Sequence, residues 1–104
     1  IADRFLENAL QYRRPVPVLI IRMRNVPAMD ATGLHALTRL FNKCVEVGTR
    51  MVLSGVNEQP RKVMTKSGFV DLIGAENVCP HFDLAVKRAT EIRMKDFELE
   101  ALKA

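Results

Sequence analysis

Apolar and polar residues alternate along the chain with two periods, one typical of helices and one typical of buried strands. In Ile1–Leu10 the apolar residues recur at helical spacing and Pro15 follows, so an amphipathic helix is predicted there. Val18–Met23 is short, branched and apolar on both faces at its start, which indicates an interior strand in a sheet covered on two sides. Met51–Val56 has the same character and predicts a second interior strand.

The segment between these two strands has the strongest helix signals. Asp30 is a good N-cap and Gly48 supplies a helix stop. Between them the apolar residues recur every three or four positions, at Leu34, Leu37, Leu40, Phe41, Cys44 and Val45. Glu58–Ser67, with Pro60 in its first turn and Gly68 beyond its end, predicts another helix.

The last third of the chain gives weaker signals. Phe69–Ile73 and Asn77–Cys79 are predicted to be extended, and a final helix is predicted from Phe82 through Ile92, fraying into the charged tail Lys95–Ala104. Strands separated by helices of this length predict an α/β fold, in which a mostly parallel sheet with right-handed crossovers is flanked by helices.

The composition fits one domain that spans residues 1–104. Of the 104 residues, 48% are apolar and 27% are charged, which is enough for one core and one solvated surface and excludes a disordered chain. The apolar runs are much shorter than the roughly 20 residues of a membrane span. No basic segment followed by an apolar run opens the sequence, so a cytoplasmic address is expected. The net charge of +4 is spread along the chain rather than grouped in one stripe, so nucleic acid is not an expected partner.

The residues most often used in catalysis are poorly placed for it. Cys44 and Cys79 lack metal-ligand spacing, and Cys44 falls on an apolar stripe, so both are expected to be buried thiols in a reducing compartment. His35 and His81 have no nucleophile at triad-like spacing. We therefore expect no enzymatic activity, no metal and no cofactor.

The run Leu19–Leu34 resembles the signature segment of STAS domains, the modules shared by bacterial anti-sigma-factor antagonists and sulfate-permease-class (SulP) anion transporters. Further matching pieces are Ile1–Phe5, Leu53–Val56 and Lys66–Phe69 before Ile73. Ala2–Phe5 and Arg22–Pro27 are closer to the transporter branch. The resemblance implies a regulatory domain on the cytoplasmic side of the bacterial inner membrane that binds its own membrane domain or a cytoplasmic regulatory protein. A free-standing antagonist-like signalling protein is the alternative.

Two departures from the family pattern affect this interpretation. Ala31 occupies the position at which the antagonists carry their phosphorylated serine, so that switch cannot operate there. Thr32 is a candidate phosphosite, although a hydroxyl near a helix start also serves as a local hydrogen-bonding group. Family domains begin with two strands that this chain lacks, and an uncovered sheet edge would favour a homodimer.

Parallel sheets bind ligands outside the carboxyl ends of their strands, where the turn after the first strand lies. We therefore predict a partner-binding surface, called the contact turn, formed by Val26, Pro27, Met29, Asp30, Ala31, Thr32, Gly33 and Leu34. Arg22, Arg24 and Thr32 are candidate contacts for an anion or a weakly bound nucleotide, because free N–H groups at the helix start attract negative charge. Asp30 opposes such binding, since its carboxylate already occupies that position.

Overall fold

Three parallel strands form the sheet of the computed structural model, which describes residues 16–103. The strands are β1 (Val18–Arg22), β2 (Arg50–Ser54) and β3 (Val78–Cys79), in the order β1-β2-β3. The two strands predicted at Val18–Met23 and Met51–Val56 are confirmed as strands, and β2 is the one with a neighbour on each side in the described part of the sheet. The extended prediction at Asn77–Cys79 is confirmed for its last two residues. The helix predicted at Ile1–Leu10 lies outside the described residues.

The helices are α1 (Ala31–Val47), α2 (Glu58–Lys66), α3 (Phe69–Ile73) and α4 (Phe82–Lys103), with a short 3₁₀ turn at Ala75–Asn77 before β3. The first two are the helices that the sequence predicts most firmly. Helix α1 begins after Asp30 and stops at Gly48, which takes a left-handed φ of 78°. Its apolar stripe places Leu37, Leu40 and Cys44 in the core.

The sheet has an apolar layer on each face because side chains along a strand point alternately to opposite sides. On one face Ile21, Met51 and Leu53 belong to the main core, which also contains buried residues of α1, α2 and α3. On the other face Ile20 and Val52 pack with the helix α4 residues Ala85 and Ile92. The sheet is therefore flanked by helices on both faces, as predicted, and β1 forms one edge of its described part. Pairing of two copies at that edge stays a prediction.

The extended structure predicted for Phe69–Ile73 is wrong, because these residues form helix α3. A strand would send Phe69 and Val70 to opposite faces, whereas both belong with Ile73 to the same buried cluster. The apolar residues therefore follow helical spacing, and Gly68 at φ 86° redirects the chain just before them. The Phe69 ring packs edge-on against Phe41 of α1, with ring centroids 5.9 Å apart. A five-residue apolar run is too short for its sequence to distinguish these alternatives.

Helix α4 starts at the carboxyl edge of the sheet and returns along its face. The guanidinium of Arg22, the last residue of β1, lies 4.4 Å from the centroid of the Phe82 ring at the start of α4. The charged tail stays helical to Lys103, and Phe97 and Leu102 in this part are 70% and 83% exposed. Within residues 16–103, no helix combines the length and the apolar character needed to cross a membrane.

Candidate functional site

The loop between β1 and α1 is attached to the start of α2 by two amide side chains. The Asn57 Nδ2 donates to the carbonyl oxygens of Arg24 and Val26, at 3.1 and 2.9 Å. The Gln59 Oε1 accepts from the Met29 N–H at 2.7 Å, and the Gln59 Nε2 donates to the Met29 carbonyl at 3.1 Å. These four bonds fix the backbone of the loop against a second element of the fold.

Asn57 and Gln59 were missed by the sequence analysis. Both follow the carboxyl end of β2, and the carboxyl ends of parallel strands meet at one edge of a sheet. That rule, extended from the first strand to the second, could have placed them beside the contact turn. The amide types could not have been assigned to specific backbone partners without the fold.

Some residues of the contact turn are exposed to solvent, and the others pack against the main core. Val26, Met29 and Leu34 are partly buried against the main core. Pro27, Asp30, Ala31 and Thr32 are exposed, and so is Ala28, which lies in the same loop. A shallow hollow of about 460 Å³ lies beside the turn, and its lining includes Met29, Gly33 and Gln59.

Asp30 caps α1 as the sequence predicts. Its backbone is extended, with φ −101° and ψ −178°, and its Oδ1 accepts from the Gly33 N–H at 2.8 Å. One of the free N–H groups of the first helical turn is therefore satisfied within the chain.

Replacing Asp30 by alanine should lower the free energy of unfolding by about 1 kcal/mol, because the Gly33 N–H loses its acceptor. Urea denaturation of the 104-residue chain measures this loss. Glu100→Ala removes the same charge from an exposed position of α4 and serves as the control. Equal losses in the two variants would contradict the capping role.

A second and larger hollow, of about 630 Å³, lies at the carboxyl edge of the sheet. We call it the arginine hollow, and its lining includes Arg22, Arg24, Ser54, His81, Phe82 and Asp83. The strand ends and the first turn of α4 thus bring together residues that are distant in the sequence. Thr32, the third predicted anion contact, is exposed on the first turn of α1 and does not line this hollow.

The two cysteines are buried, as predicted from the sequence, and they form no disulfide with each other. Burial raises the pKa of the Cys44 thiol from 9.0 to about 11. Burial also raises the pKa of Cys79, where Arg88 acts in the opposite direction and Glu91 adds to the rise. Both thiols therefore stay protonated near neutral pH and are poor nucleophiles. His35 is exposed on α1, and no three potential metal-ligating side chains cluster within the part of the chain that the structure describes.

The parallel sheet, its two helical faces and the capped turn at its carboxyl edge define a small α/β domain. The family model of the STAS domain matches residues 2–89, and the chain belongs to this family. This result confirms the resemblance drawn from Leu19–Leu34 and the α/β fold expected from it.

Two solved structures are similar to the chain. One is a sulfate transporter family protein from Wolinella succinogenes, at 35% identity and a TM-score of 0.78, covering 89% of this chain and 76% of that chain. The other is the SulP transporter STAS domain from Vibrio cholerae, at 29% identity and a TM-score of 0.75, covering 96% of this chain and 73% of that chain. A search of curated proteins found no significant match. The chain is thus a STAS domain similar to those of SulP transporters.

Proposed function

We propose that this chain is the non-catalytic regulatory STAS domain of a sulfate-permease-type anion transporter. In this proposal the domain lies on the cytoplasmic side of the bacterial inner membrane and binds its own membrane domain or a cytoplasmic regulatory protein. The observation that carries the proposal is the 35% identity, over 89% of the chain, to a sulfate transporter family protein.

The contact turn is the surface that we assign to the partner. Its exposed residues are Pro27, Asp30, Ala31 and Thr32. The backbone of the loop that carries them is held by the side chains of Asn57 and Gln59. A surface that is fixed before binding loses less conformational entropy when the partner arrives. The four hydrogen bonds therefore favour recognition by the turn over a purely structural loop.

The chemistry of the site supports binding rather than catalysis. The protonated, buried thiols of Cys44 and Cys79 do not supply a nucleophile. Ala31 has no hydroxyl to accept a phosphoryl group, whereas Thr32 is exposed beside it. A phosphate on Thr32 would lie near the positive end of α1 and change the charge of the contact turn, so Thr32 remains our candidate for modification.

The test places Thr32→Lys in the intact gene product and measures uptake of radiolabelled sulfate by cells or proteoliposomes. We expect uptake to change by at least about fivefold, which corresponds to about 1 kcal/mol of altered contact energy. The domain itself should lose only about 0.3–1 kcal/mol of stability, from a lysine beside the positive helix end. Unfolding of the isolated chain checks this second value.

Thr90→Lys is the matched control, because Thr90 is exposed on α4 and its hydroxyl donates to the Val86 carbonyl at 2.9 Å. It adds the same bulk and charge away from the contact turn. If a folded Thr32→Lys protein takes up sulfate as fast as the unmodified protein, the contact turn is not the partner-binding surface. A gene product without membrane spans would instead contradict the transporter proposal and favour the free-standing antagonist-like alternative.

A further inference from the structure

We propose that Asn57 and Gln59 are positioning residues for the contact turn, so that the start of α2 controls whether the turn can bind its partner. Both residues lie outside the contact turn, Asn57 at the N-cap of α2 and Gln59 in its first turn. They act through the backbone of the turn and need not touch the partner themselves. This inference rests on the proposed function, because the turn must be the surface that meets the partner.

The loop between β1 and α1 has few backbone hydrogen bonds of its own. Residues 26–30 belong to no helix or strand. Among the described residues, the backbone bonds of this stretch are one from the Val26 N–H to the Met23 carbonyl and one from the Leu34 N–H to the Asp30 carbonyl, both 3.0 Å long. The conformation of the middle of the loop therefore depends on the side chains of α2 that hold it.

The Asn57 side chain ends between two backbone carbonyl groups, those of Arg24 and Val26. Two carbonyl oxygens close to the end of one side chain need two hydrogen donors, and the NH₂ group of an amide supplies both. An aspartate carboxylate supplies acceptors only, and a serine hydroxyl supplies one donor on a shorter side chain. Asparagine is therefore suited to hold both carbonyl groups at once, and its close substitutes are not.

Asn57 occupies the N-cap position of α2, yet its side chain does not cap the helix. Its backbone is extended, with φ −73° and ψ 166°, as is usual at an N-cap, but the side chain forms no hydrogen bond to the first helical turn. Asp30 at the same position of α1 does cap its helix, through the Gly33 N–H. Capping by the side chain stabilises a helix, so its absence at Asn57 favours a role for this amide in the loop.

Gln59 holds the middle of the loop in the way that a neighbouring strand would hold it. Its amide accepts from the N–H of Met29 and donates to the carbonyl of the same residue, which is the exchange of two bonds seen between paired backbones in a sheet. The Met29 side chain packs partly against the main core, so this residue is held from two sides. The exposed residues next to it are therefore presented on a backbone that is ordered before the partner arrives.

Amide hydrogen exchange of the 104-residue chain tests whether Asn57 orders the turn. Asn57→Ser and Asn57→Asp both introduce a residue that caps helices well, but neither supplies two donors. The Met29 N–H keeps its own acceptor on Gln59 in both variants. Its exchange should nevertheless become about tenfold faster, because the loss of two hydrogen bonds elsewhere in the loop makes local opening easier. Unchanged exchange in both variants would show that Asn57 does not order the turn, and would overturn the proposal.

Asn42→Asp is the control, since Asn42 is exposed on α1 outside the loop and the change adds the same charge. It should leave the exchange of the Met29 N–H unchanged, and equal acceleration in Asn42→Asp and Asn57→Asp would contradict the proposal. Gln59→Met removes both bonds to Met29 and should accelerate exchange at least as much as Asn57→Ser. A Gln59→Met chain that exchanged like the unmodified chain would also contradict it. Circular dichroism confirms that each variant is folded.

Uptake of radiolabelled sulfate by the intact gene product tests the functional role. Asn57→Ser adds no charge and leaves the exposed residues of the contact turn as they are. It should change uptake by at least about threefold, and in the same direction as Thr32→Lys, because a less ordered turn binds its partner more weakly. If Thr32→Lys changes uptake and a folded Asn57→Ser protein does not, this inference fails and the proposed function stands. If neither variant changes uptake, the proposed function and this inference fail together.

Discussion

Leu53→Ala is expected to lower the free energy of unfolding by about 3–4 kcal/mol. Leu53 lies in the central strand β2, is fully buried, and pairs in register with both Ile21 of β1 and Val78 of β3. Truncation removes apolar contacts and leaves a cavity that the two neighbouring strands prevent from collapsing, so the cost should approach the upper part of the usual range. Urea denaturation of the 104-residue chain measures the change.

Leu72→Ala is the control for this prediction. Leu72 is 54% exposed on α3, so the same truncation should cost less than about 1 kcal/mol there. Similar losses in the two variants would mean that the core does not centre on β2. For a domain of this size, each kcal/mol lowers the melting temperature by about 4–8 °C, so thermal unfolding also separates the two outcomes.

Gly55→Ala is expected to lower the free energy of unfolding by about 2–3 kcal/mol, and two separate causes contribute to this loss. Gly55 has φ +67°, a conformation that a residue with a Cβ adopts only at a cost. An added Cβ would also lie 3.2 Å from the Arg24 Cβ and 3.3 Å from the Arg24 Cα. Arg24 has little freedom to move away, because Asn57 holds its carbonyl oxygen.

Gly68→Ala isolates the first cause, because Gly68 has φ +86° with no atom within 4 Å of an added Cβ. It should cost about 1–2 kcal/mol, and the difference between the two variants measures the contact with Arg24. If the two variants lose the same free energy of unfolding, Arg24 moves away from the added Cβ at no cost.

Local signals were sufficient to predict much of the fold. Asp30 and Gly48 define α1 because a capping carboxylate and a left-handed glycine act on their own neighbours along the chain. Strands β1 and β2 were recognised because branched apolar runs of that length suit a sheet covered on both faces. At Phe69–Ile73 the same kind of local signal was ambiguous, and burial against the Phe41 ring decided the outcome.

The candidate sites were predictable only in part. The contact turn was located from the strand-end rule, but the groups that hold it, Asn57 and Gln59, depend on the packing of α2 against the loop. Arg22 was expected near the start of α1, whereas in the structure it stacks on Phe82 of α4. These side-chain contacts depend on which helices and strands become neighbours in space, and the spacing of residues along the sequence does not contain that information.

The parallel order of the strands also determines when the carboxyl edge of the sheet is complete during folding. Val18 pairs with Arg50, and Leu53 pairs with Val78, so each strand must wait for a crossover before it meets its neighbour. Closing such long segments is slow because chain entropy is lost before the contacts are gained. Arg22, Ser54 and His81 come from three successive parts of the chain and assemble only after both crossovers have closed. During synthesis, the arginine hollow is therefore among the last features to form.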